Sequence, residues 1–326
     1  MVAQREGRAR IVYMGNPEFA VAPLQALRGA GYDIAAVVSS PARPAGRGRK
    51  LREPEVAQCA KEMGALLLQP ESLGDESFIS TLRSLELDLG VVVAFRMLPK
   101  AVWSMPRLGT INLHTSLLPA YRGAAPVNWA IMNGEKESGV TTFLLDEGMD
   151  SGKILMRAGT AITEQDTSGT LHARLSVLGS KLVVETVEGL LQGTLQPSVQ
   201  PAAEGLPGAP KLFKADCRVD WARSAAEVDR KIRGLSPLPT AWSDMEMDGV
   251  RVEYVKLHHS SRGGVCREGA SGEAGSVRII GKGEGIAVLC GDGAEVSIES
   301  LQLPGRKQLT AADFLRGCSG AALRFV

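Results

Sequence analysis

Short apolar runs recur along the first part of the chain, separated by stretches with helical spacing. The runs are RIVYMG (10–15), DIAAVVSS (33–40), ALLLQP (65–70), LGVVVAF (89–95) and GTINLH (109–114). Between them, PEFAVAPLQALRGAG (17–31), PEVAQCAKEMG (54–64) and DESFISTLRSLE (75–86) carry helical periodicity, the first with a proline start and a glycine stop. Near-continuous apolar strands alternating with helices predict a parallel sheet covered on both faces. Ligand sites in such sheets lie outside the carboxyl ends of the strands. Asn112 and His114 stand at such an end, two residues apart and therefore on one face of the strand.

A second strand end lies further on. After GVTTFLL (139–145), the stretch LLDEGMDSGKIL (144–155) holds Asp146, Glu147 and Asp150 among glycines. In a parallel sheet, two strand-end loops can face each other across a cleft. Asparagine, histidine and a carboxylate then form a workable set. The amide donates to a developing oxyanion, the imidazole moves a proton, and the carboxylate orients and stabilises the ring. Neither a G-x-S-x-G elbow nor a reactive-cysteine signature occurs, which points away from a covalent nucleophile and toward direct acyl transfer between two bound substrates. Each residue also has a plain structural reading: Asn112 satisfying backbone groups near a turn, Asp150 capping its own loop. The first strand-to-helix turn has one glycine, Gly15, and lacks the G-x-G-x-x-G of a dinucleotide site.

At 326 residues the chain is long for one domain. A long helical pattern covers 169–193, and periodicity then stops in TLQPSVQPAAEGLPGAP (194–210), whose prolines and glycines read as an interdomain linker. This divides the chain into 1–193, a linker at 194–210, and 211–326. Past the linker, SAAEVDRKIRG opens a helix with a capping box, Ser224 with Glu227. The alternating runs AWSDMEM, VRVEYVKLHH, SVRIIGK, GIAVLCG and AEVSIESLQL then predict a small antiparallel Greek-key barrel.

Net charge is +1, so the whole molecule does not attract nucleic acid electrostatically. Charge is nevertheless concentrated in PARPAGRGRKLR (41–52), where Arg43, Arg47, Arg49, Lys50 and Arg52 meet no acid. That run is either a solvated surface loop or, at the rim of the cleft, a contact for a polyanion. The five cysteines are scattered without a C-x-x-C pair, against a disulfide framework or zinc site and in keeping with a reducing cytoplasm. The N-terminus shows no signal-peptide pattern, and no apolar run is long enough to span a bilayer.

RIVYMGNPEFAVAPLQAL, RPAGRGRKL, VVVAFRMLPKAVWSMPRLGTINLHTSLLPAYRGAAPVNWAIMNGE, GVTTFLLDEGMDSGKIL, DTSGTLHARL and KIRGLSPLPTAW together resemble the 10-formyltetrahydrofolate-dependent formyltransferase family. NLHTSLLPAYRG with GMDSG is shared across that family, while RPAGRGRKL and the second domain point to the members that act on methionyl-tRNA. The resemblance implies a Rossmann-like, mostly parallel α/β domain followed by a small OB-type barrel. It implies formyl transfer from 10-formyltetrahydrofolate to the methionine amino group of initiator methionyl-tRNA, without a metal, by a cytoplasmic monomer. Glycinamide ribonucleotide or an amino-sugar nucleotide is the alternative acceptor.

Residue by residue, the family's catalytic Asn, His and Asp fall on Asn112, His114 and Asp150, with the aspartate setting the imidazole tautomer. Its folate-contacting segment falls on Ser116, Leu117, Leu118 and Pro119, and AFRMLP, with Phe95 and Arg96, lines the pterin pocket. Its tRNA-inserted loop falls on Arg43, Arg47, Arg49 and Lys50. Arg96 stands where glycine is usual in the family, and Ala42 where aspartate is common.

Overall fold

The structure is a computed structural model that describes residues 9–45, 50–262, 269, 272–318 and 320–326. By internal contacts the chain forms two compact units. The first comprises Met1–Gly123, Ser138–Thr160 and His172–Gly208; the second Ala124–Glu137, Ala161–Leu171 and Ala209–Val326.

The elements follow in chain order. They are β1 (Arg10–Gly15), α1 (Val21–Gly29), β2 (Asp33–Val38), β3 (Arg43–Ala45), β4 (Lys50–Arg52), α2 (Glu55–Glu62), β5 (Leu67–Leu68), α3 (Glu76–Ser84), β6 (Leu89–Val93) and α4 (Lys100–Trp103). Next come β7 (Thr110–His114), α5 (Pro126–Asn133), β8 (Glu137–Leu144), β9 (Ile154–Ala161) and α6 (Ser168–Gln192).

The main sheet of the first unit runs β5-β2-β1-β6-β7-β8-β9. From β5 to β7 neighbouring strands are parallel, and β8 returns antiparallel to β7. This is the mostly parallel Rossmann-like sheet expected from the apolar runs. All of β6 is buried, as is β1 from Ile11 onward, because both faces are covered. On one face Val12, Met14, Ala36, Val38 and Val92 pack with Phe78, Ile79 and Leu82 of α3 and Val102 of α4. Asn112 is in register with Val92 on the neighbouring parallel strand and so shares that face. Leu113 projects the other way, toward Gly179 of α6. The alternation along β7 therefore turns Asn112 and His114 away from the long helix.

In the second unit, α7 (Ala225–Gly234) begins at the predicted capping box: the Ser224 side chain accepts from the Glu227 N–H and the Glu227 carboxylate accepts from the Ser224 N–H. The strands are β10 (Ala241–Met247), β11 (Val250–Ser261), β12 (Val277–Ile280), β13 (Gly285–Leu289), β14 (Glu295–Gln302), β15 (Leu309–Thr310) and β16 (Leu323–Phe325), with α8 (Ala311–Gly317) before the last. They form one antiparallel sheet ordered β12-β13-β14-β11-β10-β16. A bridge between Ser276 and Arg324 links its two edges into a nearly closed barrel, as the short alternating runs predicted. Val228 and Ile232 of α7 join Val255, Leu257, Ile286, Val296 and Phe325 in its core. The helix α5 also belongs to this unit: Asn128 Nδ2 donates to the Gly234 carbonyl at 2.7 Å.

Candidate active site

Asn112 and His114 end β7. Asn112 is half-buried, and His114 is 6% exposed. The Nε2 of His114 lies 2.8 Å from the Tyr121 carbonyl oxygen. A carbonyl only accepts, so Nε2 carries a hydrogen. Nδ1 then faces the Asp150 carboxylate, with 3.8 Å between Nδ1 and Oδ2. In this geometry a backbone carbonyl meets one ring nitrogen and Asp150 the other. In the neutral ring the lone pair sits on Nδ1, the nitrogen on the aspartate side, and that atom is the one able to take a proton.

Asp150 lies on the turn after β8, where the sequence placed it. Its φ is +51°, a left-handed conformation that residues with a side chain adopt infrequently. The Gly123 N–H donates to Asp150 Oδ2 at 2.9 Å. The structure thus brings His114 and Asp150 together within the first unit, with Asn112 two residues before His114 on the same face of β7. Asp146 turns to its own loop, accepting from Gly148 N–H and Ser151 Oγ, and Glu147 pairs with Lys100 at 2.6 Å.

Ser116, Leu117, Leu118 and Pro119 follow directly. Thr141 Oγ1 donates to the Ser116 carbonyl at 2.6 Å and accepts from the Leu118 N–H at 3.2 Å. Ser116 Oγ is itself engaged with the Ala120 carbonyl at 2.7 Å. Leu118 packs with Phe143 and Ile154, so its side chain belongs to the core. The Leu118–Pro119 peptide is cis.

Phe95 and Arg96 occupy the loop after β6, both half-buried. The Arg96 guanidinium lies 5.4 Å from the Phe95 ring centroid and donates to the carbonyls of Glu71 and Pro70 at 3.0 and 2.9 Å. The Arg96 side chain joins this loop to the one after β5.

The basic stretch is a two-stranded ribbon, with Arg43 opposite Arg52, Pro44 opposite Leu51 and Ala45 opposite Lys50. Arg43 is exposed, and Arg52 pairs with Glu55 at 2.6 Å. Arg47 and Arg49 lie outside the described residues. Among the described residues no cluster of three or more His, Cys, Asp or Glu side chains could hold a metal ion, and no helix is long and apolar enough to cross a membrane.

Three contributors escaped sequence reasoning. The Tyr121 carbonyl and the Gly123 N–H are backbone groups with no residue signature, although the strand-end motif includes both residues. Gln200 lies in the proline-rich stretch read as a linker. It is buried, donates from Nε2 to the carbonyls of Asp150 and Gly152 at 2.8 and 2.7 Å, and accepts from Arg122.

A parallel sheet carries an amide, an imidazole and a carboxylate at one end, with the nearby serine hydroxyl held by a carbonyl, a set suited to acyl transfer between two bound substrates. Comparison with known proteins narrows the class. Residues 9–187 match the family described as formyl transferase and 211–319 its C-terminal domain, leaving 188–210, which holds Gln200, between the two. A methionyl-tRNA formyltransferase of Bacteroides thetaiotaomicron is 47% identical over 94% of this chain and 95% of its own. One from Flavobacterium johnsoniae is 42% identical over 95% and 96%. The chain belongs to the formyl transferase family, and within it to the methionyl-tRNA formyltransferases.

Solved structures share the fold at lower identity. HypX from Aquifex aeolicus in complex with tetrahydrofolic acid matches with a TM-score of 0.64 at 20% identity, over 95% of this chain and 47% of that one, so this chain spans about half of its length. The Helicobacter canadensis N-formyltransferase in complex with folinic acid and dTDP-3-aminofucose gives 0.62 at 17% identity, over 89% and 98%.

Proposed function

We propose that the chain transfers a formyl group from 10-formyltetrahydrofolate to the amino group of methionine on initiator methionyl-tRNA, with Asn112, His114 and Asp150 as the reacting set. The observation that supports this most is the approach of His114 Nδ1 to the Asp150 carboxylate beside Asn112. The donor supplies a formyl group on a nitrogen able to leave. As the amine nitrogen bonds to the formyl carbon, the carbonyl electron pair moves onto oxygen, where the Asn112 amide donates to the growing charge. The oxygen's electron pair then re-forms the carbonyl and the bond from the formyl carbon to the donor nitrogen breaks; the amine gives up a proton and the departing nitrogen gains one. In this reading His114 carries it at Nδ1, with Asp150 stabilising the charged ring.

Folate is assigned to the backbone of Ser116–Pro119 with Phe95 and Arg96. The acceptor's phosphates are assigned to Arg43, Arg47, Arg49 and Lys50. In the second unit Lys214 lies 4.1 Å from the Tyr254 ring centroid and 5.6 Å from that of Trp242, and Lys211 lies 5.6 Å from that of Phe213. Cations interleaved with aromatics suit an RNA surface. This division gives the chemistry to 1–193 and the tRNA body to 211–326, in a monomer working in the cytoplasm. The relatives at 42–47% identity favour methionyl-tRNA over glycinamide ribonucleotide or an amino-sugar nucleotide as acceptor.

The test is to supply the purified chain with 10-formyltetrahydrofolate and either methionyl-tRNA or glycinamide ribonucleotide. Formylmethionyl-tRNA should form, and formylation of the ribonucleotide alone would sink the proposal.

A further inference from the structure

Residues 194–208 are not a free spacer beside the first unit. Ser198 and Ile154 exchange backbone hydrogen bonds in both directions, each at 2.8 Å, so an isolated antiparallel bridge pins the chain to the first residue of β9. That pairing delivers Gln200 to the turn carrying Asp150. Its side-chain amide uses both ends. Nε2 donates to the carbonyl of Asp150 at 2.8 Å and of Gly152 at 2.7 Å. Oε1 accepts from Arg122 Nη2 at 2.5 Å and Nε at 3.2 Å.

Each end serves a different half of the site. The Nε2 end holds the turn in which Asp150 takes its left-handed conformation. The turn is crowded: a Cβ on Gly152 would stand 1.7 Å from the Leu144 carbonyl oxygen, so its path has little freedom. The Oε1 end holds Arg122. The preceding residue, Tyr121, meets His114 Nε2 through its carbonyl, and the following one, Gly123, donates to Asp150 Oδ2. One buried amide therefore spans the segment that fixes the imidazole and the turn that presents the carboxylate.

We infer that Gln200 is a positioning residue of the formyl transfer, setting the Asp150 carboxylate against Nδ1 of His114. The inference rests on the reading of His114 and Asp150 as the reacting pair. Gln200 acts through Asp150, so its loss costs turnover and leaves substrate binding nearly intact. Displacing a reacting group by about 1 Å costs on the order of 100-fold in rate.

The experiment uses the full chain with Gln200→Met, which keeps the length and removes all polarity, and Gln200→Glu, which keeps a partner for Arg122 and removes the N–H donors. Each is also made on the Asp150→Ala background. Steady-state formylation of methionyl-tRNA gives kcat and both KM values, and thermal unfolding gives the folded fraction. Both single variants should lose about 10- to 100-fold in kcat with KM for donor and tRNA changed less than about threefold. On the Asp150→Ala background the same substitutions should cost less than about threefold, because the group they position is gone. Unchanged kcat per folded molecule, a loss confined to KM, or a loss that adds in full to that of Asp150→Ala would each overturn the inference. Wild-type chain that fails to formylate methionyl-tRNA would overturn the functional reading itself, and this inference with it. Wild-type activity beside an unimpaired Gln200→Met would overturn this inference alone.

Discussion

The Nε2 nitrogen of His114 and the carbonyl oxygen of Tyr121 lie 2.8 Å apart, which commits the neutral ring to one tautomer. Its hydrogen points at the backbone and its lone pair at the Asp150 side. Two outcomes follow. Nitrogen NMR on imidazole-labelled protein should show His114 as the Nε2–H tautomer in its neutral form, and the Nδ1–H form would refute the assignment of Nδ1 as the proton-carrying atom. His114→Ala, Asn112→Ala and Asp150→Ala should each lose about 10²- to 10⁴-fold in turnover with the fold retained. The double variant His114→Ala/Asp150→Ala should lose far less than the product, since the two groups act as one unit.

Thr141 places the strand-end segment from below. It is fully buried, and its hydroxyl serves both the Ser116 carbonyl and the Leu118 N–H. Thr141→Val keeps the shape and leaves both backbone groups without that partner, which should cost about 1–3 kcal/mol of stability. Because the same segment is assigned to folate, KM for the formyl donor should rise several-fold while KM for tRNA stays put. Equal rises in both would show that the segment does not discriminate between the substrates.

Much of this architecture could be read from the chain, and what could not has physical causes. Strands such as β6 are buried on both faces, so their sequence is apolar throughout, and the barrel strands alternate because one face meets a core. Asn112 and His114 stood out because polar side chains at the end of an apolar strand are conspicuous. Tyr121 could not be recognised, because its contribution is a carbonyl that every residue possesses. Gln200 was hidden by its surroundings: proline-rich composition reports the absence of regular structure, not the absence of long-range hydrogen bonds. The basic stretch read as a loop because Arg43–Ala45 and Lys50–Arg52 are too short for periodicity to register. The helix α5 sits in the first half of the sequence yet packs on α7, a pairing that no local pattern encodes.

The barrel's stability should depend on pH through Asp244. Burial alone pushes its carboxyl up, but the Tyr254 N–H at 2.9 Å and the Arg251 guanidinium at 2.6 Å outweigh that and hold it below the ordinary carboxylate value. A depressed folded value means that the stabilisation is complete above the unfolded value, about pH 4, and is lost as pH falls through the folded one. Asp244→Asn should therefore destabilise the chain by about 1–3 kcal/mol at neutral pH, with the difference from wild type shrinking below about pH 4. Denaturant melts at several pH values would show this, and a constant gap down to pH 2 would remove Asp244 from the account.

The β3–β4 ribbon offers the cleanest separation of the two substrates. Arg43 is exposed on one strand, while Arg52 opposite it is already paired with Glu55, so the ribbon's cations are not equivalent. Replacing Arg43, Arg47 and Arg49 with alanine removes positive charge from the stretch assigned to tRNA and leaves Asn112, His114 and Asp150 in place. Phosphate contacts release counterions, and each one lost should reduce the slope of log affinity against log salt by about 0.7–0.9. The triple variant should accordingly bind methionyl-tRNA much more weakly at low salt, with a slope shallower by about 2–3. The wild-type advantage should shrink as salt rises. Binding of a folate analogue should stay within about twofold, since phosphate contacts position nucleic acid without touching the folate-assigned loops. A parallel loss of folate binding would place the ribbon at the donor pocket, and Arg52→Ala as damaging as Arg43→Ala would show that the Glu55 pair does not hold Arg52 back from tRNA.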